Sequence, residues 1–215
     1  AANYPFCTIE PNVGEVAMPE PRLEALAKIA GSKEIIPTRM NFVDIAGLVR
    51  GASKGEGLGN QFLATIRECD AIAYVLRCFE NDDITHVEGR IDPIGDAETV
   101  ETELMLADLE SLEKRVATLE KKSKGGDKEA KLTLDLVLRA KALLEEGKPA
   151  RHVKRAAEEE KAFAMLQLLT ALPVLYVCNV DEAHAASGND QSRAVEARAK
   201  LEHAACVIIC AQMEA

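Results

Sequence analysis

The stretch Asn41-Phe-Val-Asp-Ile-Ala-Gly-Leu48, continued by Val49-Arg-Gly-Ala-Ser-Lys-Gly-Glu-Gly-Leu-Gly59, decides the fold of this chain. The apolar run at residues 42–45 predicts a buried strand, which passes through Asp44 into a loop with five glycines between residues 47 and 59. The apolar residues that follow recur at helical spacing and are Leu58, Phe62, Leu63 and Ile66.

A strand, an acidic residue, a glycine-rich loop and a helix, in this order, are what a sensor of a nucleotide γ-phosphate needs. A carboxylate at the strand end can hold a hydrated Mg²⁺, and a glycine N–H can approach a phosphate because no Cβ blocks it. The glycines then allow the loop to rearrange when the phosphate leaves. The same order also occurs in the βα turn of any α/β protein, so this stretch alone leaves both interpretations open.

Composition sets the broad class. The chain has 215 residues, 47% of them hydrophobic and 29% charged, as in an ordinary soluble globular protein. A net charge of −10 argues against indiscriminate binding to DNA or RNA, although a local basic patch remains compatible with it. The sequence shows no signal peptide and no long apolar run, so we expect a cytosolic protein without a membrane segment. None of the six cysteines forms a Cys-x-x-Cys motif, which favours reduced, buried thiols.

Apolar strand-like runs alternate with helical patterns along the chain. We predict strands at 13–18, 35–45, 70–79, 172–180 and 205–210, and helices at 22–29, 158–171 and 192–202. The continuous apolar character of residues 70–79 predicts a strand that is covered on both faces of a parallel sheet. The alternation therefore predicts an α/β fold with a mostly parallel sheet.

A helical insertion interrupts this alternation. Helices are predicted at 96–122 and 127–146, separated by Gly125-Gly126, and they form an antiparallel hairpin that projects from the sheet. Its coiled-coil seam consists of apolar residues at spacings of three and four, namely Leu109, Leu112, Val116 and Leu119. We predict a core domain at 1–95 and 163–215 and a helical coiled-coil insertion at 96–162.

The turn between these two helices is basic. Residues 121–131 contain five lysines against two acidic residues, and the lysines nearest the turn are Lys121, Lys122, Lys124 and Lys128. One interpretation is a solvated tip, and the other is contact with an RNA backbone. The acidic character of the rest of the chain favours the second.

Four polar features stand in order along the sequence. Thr8 lies in an extended segment between two prolines, Asp44 and Gly47 form DxxG, and the strand at 172–180 leads into Asn179-Val-Asp-Glu182. The last strand ends in Cys210-Ala-Gln212. Because open α/β sheets bind ligands beyond the carboxyl ends of their strands, the amide and the carboxylate at 179–182 are candidate ligand contacts. His86 lies in a polar loop, where the simplest interpretation is a solvated side chain.

The wording of these segments resembles one family. Four segments are similar to the YchF family, the Obg-like ATPase branch of the translation-factor GTPases. They are Tyr4-Pro-Phe-Cys-Thr-Ile-Glu-Pro-Asn12, the stretch 42–63, Arg77-Cys-Phe-Glu-Asn-Asp82 and Lys124-Gly-Gly-Asp-Lys-Glu-Ala-Lys131. The similarity extends over nearly the whole chain and is weakest around 147–162 and 183–195. It implies a P-loop NTPase (Ras-like) fold, in which the predicted core is the nucleotide-binding domain.

The resemblance also implies roles for individual residues. Thr8 and Asp44 match the Mg²⁺ ligands, and Gly47 matches the glycine whose N–H contacts the γ-phosphate. Leu48 stands where Ras-like proteins have a catalytic Gln, and an apolar side chain cannot orient the attacking water. His86 matches a loop histidine proposed for that role. The residues that match the nucleotide-binding segments near the base are Asn179, Val180, Glu182, Cys210, Ala211 and Gln212.

The resemblance implies a nucleotide-dependent switch that binds and hydrolyses ATP, with GTP as the other candidate, and that associates with the ribosome. The absence of the Asp and Lys of an NKxD motif weakens the selection of guanine. The alternative is a non-catalytic, nucleotide-gated module that binds protein or RNA, which the apolar Leu48 leaves open. A Rossmann-type oxidoreductase is disfavoured, because Asn60 occupies the last position of the GxGxxG pattern.

This sequence departs from the family pattern in one respect that bears on activity. The 215 residues contain no GxxxxGK[ST] phosphate loop. We therefore expect that loop upstream of Ala1, and the family's TGS domain beyond Ala215, in the full-length P-loop NTPase. We expect the 215 residues by themselves to bind ATP weakly or not at all and to be inactive.

Overall fold

A computed structural model describes residues 12–45, 58–80 and 91–214, without the side chains of residues 58–61. The chain divides into two compact units between residues 47 and 48. No helix in the described ranges is both long enough and apolar enough to cross a membrane.

The first unit is a β-hairpin with a helix in its connection. Strands β1 (Asn12–Ala17) and β2 (Arg39–Asp44) pair antiparallel, so that Asn12 faces Asp44 across the ladder. Helix α1 (Pro21–Ala30) begins with a proline, whose fixed φ suits the first helical turn. Strands are present at both predicted places, 13–18 and 35–45, and the second begins only at Arg39.

The prediction that the strand at 42–45 is buried is wrong, because within this unit the strand is mostly exposed. The Phe42 side chain is 51% exposed, and most of β2 is exposed with it. The physical reason is that a two-stranded ribbon has no second layer of its own to cover either face.

The second unit contains a parallel sheet. Its strands are β3 (Ile72–Arg77), β4 (Val174–Asn179) and β5 (Ala205–Ile209), in the spatial order β3-β4-β5. Because the strands are parallel, their carboxyl ends lie at one edge, with Arg77 beside Asn179 and Asn179 beside Ile209. The α/β class with a mostly parallel sheet is confirmed.

Six helices of the second unit are described. Their bounds are α2 (Leu58–Arg67), α3 (Pro93–Lys124), α4 (Lys128–Glu145), α5 (Glu160–Ala164), α6 (Asp190–Leu201) and α7 (Ala211–Glu214). Helix α3 begins three residues earlier than predicted, because the Asp92 carboxylate accepts a hydrogen bond from the N–H of Gly95 at 3.0 Å and Pro93 fits the first turn.

One face of the sheet forms a core with α3 and α6. The rings of Tyr74 and Tyr176 stack with their centroids 5.6 Å apart, and Ala97 and Val195 pack against the same cluster. Residues on the other face are more exposed, and the Val75 side chain reaches 66%. The expectation that residues 70–79 are covered on both faces is therefore wrong for the described residues, since Tyr74 and Leu76 are buried on one face while Val75 on the other is exposed.

The helical hairpin has its own core. Helices α3 and α4 pack side by side through Leu112, Leu136 and Val137, which are fully buried. The remaining predicted seam residues are partly buried against this cluster and are Leu109, Val116 and Leu119. The segment that follows α4 adds Phe163 and Leu168 to this cluster. The predicted coiled-coil seam is therefore present and is covered by a third layer.

The predicted helix at 158–171 is wrong after residue 164. Gln167 has a φ of 51°, which a continuous helix does not allow, and residues 169–171 form a 3₁₀ turn. The buried Asp108 carboxylate on α3 holds this turn by accepting hydrogen bonds from the Leu169 N–H, the Thr170 N–H and the Thr170 hydroxyl at 2.7–2.8 Å. Burial raises the pKa of Asp108, and these hydrogen bonds offset only part of that effect.

Helix α3 crosses the predicted domain boundary at residue 96. Ala97, near its beginning, packs with the sheet, and Leu112 packs within the hairpin. The division into a core at 1–95 and 163–215 and an insertion at 96–162 stays a prediction.

Candidate functional site

Two polar segments meet at the carboxyl ends of β4 and β5. Asn179 is the last residue of β4, and its Oδ1 accepts a hydrogen bond from the N–H of Ala211 at 2.9 Å. This bond joins residues 32 positions apart in the sequence. The parallel ladder makes it possible, because Asn179 lies beside Ile209, two residues before Ala211.

The residues around this bond alternate between buried anchors and exposed groups. Val180 and Cys210 are almost fully buried, and the N–H of Val180 donates to the carbonyl oxygen of Ile209 at 2.9 Å. Ala211 and Gln212, at the start of α7, are exposed. The two loops therefore present the Asn179 amide and the first residues of α7 from a rigid base.

Glu182 follows on an exposed turn. It is the first residue of the 3₁₀ turn Glu182–His184, and its side chain is exposed. The Asp181 carboxylate caps this turn by accepting from the N–H of His184 at 3.0 Å. Among the described residues, an amide at 179 and a carboxylate at 182 thus stand at one edge of the sheet, where parallel α/β folds bind ligands.

Asn189 is a residue of this edge that we did not predict. Its Nδ2 donates to the carbonyl oxygen of Cys78, just after β3, at 2.6 Å, and its Oδ1 accepts from the N–H of Ser192 at 3.0 Å. It therefore ties the end of β3 to the start of α6. The Asn-x-x-Ser spacing before a helical pattern is the signal that could have indicated a capping residue here.

A row of thiols lies beneath the edge, in the core. The Sγ atoms of Cys178 and Cys206 are 3.7 Å apart, and each of the five cysteines in the described ranges is a free thiol. Burial raises the pKa of Cys206 to about 12, so this thiol stays protonated near neutral pH. These cysteines act as small apolar residues beneath the polar edge.

Asp44 ends β2 in the first unit, and its side chain is exposed. No group of three or more His, Cys, Asp or Glu residues in the described ranges could hold a metal ion by itself. Mg²⁺ is usually bound by one or two carboxylates together with water and substrate phosphates, so an exposed carboxylate such as Asp44 fits this ion. Its role as a ligand stays a prediction.

Four predicted site residues lie outside the described residues, namely Thr8, Gly47, Leu48 and His86. Their predicted contacts with Mg²⁺, the γ-phosphate and the attacking water stay predictions. The described part of the site is the edge formed by residues 179–182 and 210–212.

Comparisons with known proteins agree with this geometry. Residues 1–107 match the family model described as a 50S ribosome-binding GTPase. The chain is 54% identical to the ribosome-binding ATPase YchF of Haemophilus influenzae and 47% identical to that of Bacillus subtilis, over its whole length and 59% of theirs. The solved structure of the Schizosaccharomyces pombe YchF GTPase matches with a TM-score of 0.75 and 33% identity, covering 97% of this chain and 58% of that one.

The parallel sheet, with its polar loops at the carboxyl edge, and these matches define a protein with the fold of the P-loop GTPases. Within that class, the two curated relatives named above, each about half identical to the whole chain, are YchF proteins. Over its whole length the chain is homologous to these YchF proteins. It spans 59% of the length of the two curated relatives named above.

Proposed function

We propose that this chain forms the core of a nucleotide-dependent switch that binds and hydrolyses ATP, with GTP as the second candidate, and associates with the ribosome in the cytoplasm. The observation that carries the proposal is the hydrogen bond from the Ala211 N–H to Asn179 Oδ1. It joins the two segments at the carboxyl edge of the sheet that would have to meet around a nucleobase. The names of the relatives, ribosome-binding ATPase and GTPase, support the same class of activity.

The two polar side chains of the edge have complementary chemistry toward a base. Because Asn179 Oδ1 already accepts from Ala211, its Nδ2 group is the part of the amide that can donate to a ring nitrogen. The exposed Glu182 carboxylate can accept from an exocyclic amino group or a ring N–H. Val180 stands between these two residues and is apolar and buried, so there is no cationic side chain at this position to pack on the base.

The hydrolytic step would use residues of the glycine-rich and polar loops. Bound Mg²⁺ would neutralise charge on the phosphates, with Thr8 and Asp44 as its protein ligands. The Gly47 N–H would donate to the γ-phosphate, and the glycines around it would let the loop follow the phosphate's departure. Leu48 has no polar atom with which to orient water, so His86 is the proposed residue for that role.

Single-turnover hydrolysis of ATP and of GTP with Mg²⁺ by the complete gene product tests this proposal. We expect wild-type protein to hydrolyse ATP, and His86→Ala to lower the rate by about 100-fold. His152→Ala is the matched control, because His152 is an exposed histidine with no assigned role, and its rate should stay at the wild-type value.

Two other outcomes would change the assignment. An unchanged rate in His86→Ala would remove this residue from catalysis while leaving the class of activity intact. Nucleotide binding without any hydrolysis would favour the alternative, a non-catalytic, nucleotide-gated module for protein or RNA. The observation that favours this alternative is the apolar residue Leu48 at the position of the usual glutamine.

The lysines at the hairpin turn are the proposed contact with ribosomal RNA. Lys121, Lys122 and Lys124 lie in the last turn of α3, and Lys128 is the first residue of α4. They therefore cluster at the end of the hairpin, where cationic side chains can approach phosphates.

A further inference from the structure

The turn that carries Glu182 contains a second acidic residue with a partner of its own. Asp181 Oδ1 lies 2.6 Å from Nδ1 of His184 and accepts from the N–H of the same residue at 3.0 Å. The Asp181 carbonyl oxygen also accepts from that N–H at 3.1 Å. One histidine thus contacts Asp181 through both its backbone and its ring.

These contacts restrain Glu182 from both sides. Before it, the N–H of Val180 is bonded to Ile209 on the neighbouring strand. After it, the Asp181 cap closes the turn onto His184, two residues further on. Glu182 itself is exposed, so its backbone is held while its carboxylate faces solvent.

The pairing also separates the roles of two adjacent carboxylates. Asp181 is occupied by the ring and backbone of His184. For Glu182, in contrast, no ion pair or side-chain hydrogen bond with another described residue is found. Glu182 is therefore the carboxylate of this turn that remains available to accept hydrogen bonds from a ligand.

We propose that Asp181 and His184 are positioning residues that set nucleobase selectivity by holding Glu182 in one place, an inference that rests on the proposed nucleotide-binding function. Adenine presents a 6-amino group to a carboxylate, whereas guanine presents N1–H and a 2-amino group on a different part of the ring. A carboxylate on a fixed turn favours one of these edges. A carboxylate on a loosened turn can move to accept from either, so selectivity falls.

The test is calorimetric titration of the complete gene product with ATP and with GTP, each with Mg²⁺. We expect Asp181→Ala to move the ratio of the two dissociation constants about fivefold toward unity, the effect expected from loss of a capping bond. Asp181→Asn should restore the ratio to within about twofold, because its Oδ1 can still cap the turn. His184→Ala, which removes the ring contact and keeps the backbone bond, should shift the ratio by about twofold.

Asp127→Ala is the matched control. Asp127 caps α4 through bonds from the N–H groups of Glu129 and Ala130, each at 3.0 Å, so its loss has a similar cost in stability far from the sheet edge. The affinity ratio should stay at the wild-type value in this variant. A ratio unchanged in Asp181→Ala, or changed equally in Asp127→Ala, would overturn the positioning role. Wild-type protein that binds neither nucleotide would refute the proposed function itself, and the inference with it.

Discussion

Gly188 illustrates how a single position can be restricted to glycine by two separate causes. Its φ is +65°, in the left-handed region, and a Cβ added there would lie 2.5 Å from Ser192 Oγ and 2.8 Å from Ile208 Cδ1. The next residue is Asn189, whose amide holds the end of β3. A side chain at 188 would therefore disturb the capping bonds between Asn189 and Ser192.

We predict that Gly188→Ala lowers the free energy of unfolding by about 2 to 4 kcal/mol, the sum of a strained backbone and a steric overlap. Gly147→Ala is the control, because Gly147 has a φ of +72° and a Cβ there would meet no atom within 4 Å. Its cost should be about 1 kcal/mol. Urea denaturation of both variants measures the difference, and equal costs would mean that the overlap at 188 relaxes freely.

Asp108 marks the limit of prediction at the scale of the residue. Its three hydrogen bonds join it to residues more than 60 positions away, and no local sequence motif predicts them. Asn179 and Ala211 were predicted as site residues from the resemblance, but their mutual bond depends on the strand register. Asn189 had a local capping signal, although its bond to Cys78 did not.

At the scale of elements, a buried cluster of charges joins the root of the hairpin to α6. The Arg151 guanidinium contacts Glu101 of α3 and lies 2.6 Å from Glu202 Oε2, which also accepts from the Tyr176 hydroxyl at 2.9 Å. Arg198 bridges the same two carboxylates at 2.9 Å each. Three separate parts of the second unit are therefore held by one network next to β4.

We predict that Arg151→Met lowers the free energy of unfolding by about 3 kcal/mol, because it leaves two buried carboxylates with one fewer cation. Arg193→Met is the control. Arg193 pairs with Asp190 at 2.7 Å, but both side chains are largely exposed, so the loss should be below about 1 kcal/mol. Guanidinium denaturation near pH 7 compares the two, and similar losses would show that the cluster contributes no more than a surface pair.

The stabilisation that this charge cluster provides depends on pH. Burial raises the pKa of Glu202, but the hydrogen bonds from Arg151 and Tyr176 outweigh it, so the pKa lies below its usual value of 4.5. The stabilisation is therefore present above pH 4.5 and is lost as the pH falls through the lower folded-state value. The difference in free energy of unfolding between wild type and Arg151→Met should accordingly become smaller in strongly acidic buffer.

Charge is distributed unevenly over the whole molecule. The net charge is −10, yet four lysines cluster at the turn between α3 and α4. A basic end on an acidic protein directs binding to a phosphate backbone through that end alone, because the remaining surface is repelled.

We predict that the triple substitution of Lys121, Lys122 and Lys124 by Glu weakens co-sedimentation of the complete gene product with ribosomes at low salt. It should also reduce the slope of log affinity against log salt concentration by up to about 3, one for each lost phosphate contact. A control with the same change of net charge replaces lysines outside the turn, namely Lys148, Lys161 and Lys200. Equal weakening in both variants would assign the effect to net charge and remove the turn as the contact.

The sequence by itself determined the class of fold, the presence of two strands before residue 46, the two long helices and the polar residues beyond β4 and β5. These follow from the period of apolar residues and from capping and turn residues, which act between neighbours in the chain. Only the tertiary structure decided the break after residue 164, the single covered face of the sheet and the network around Glu101. It also decided that Asn179 meets Ala211. These features depend on hydrogen bonds and packing between residues 32 to more than 60 positions apart, whose partners become neighbours only when the strands and helices are assembled.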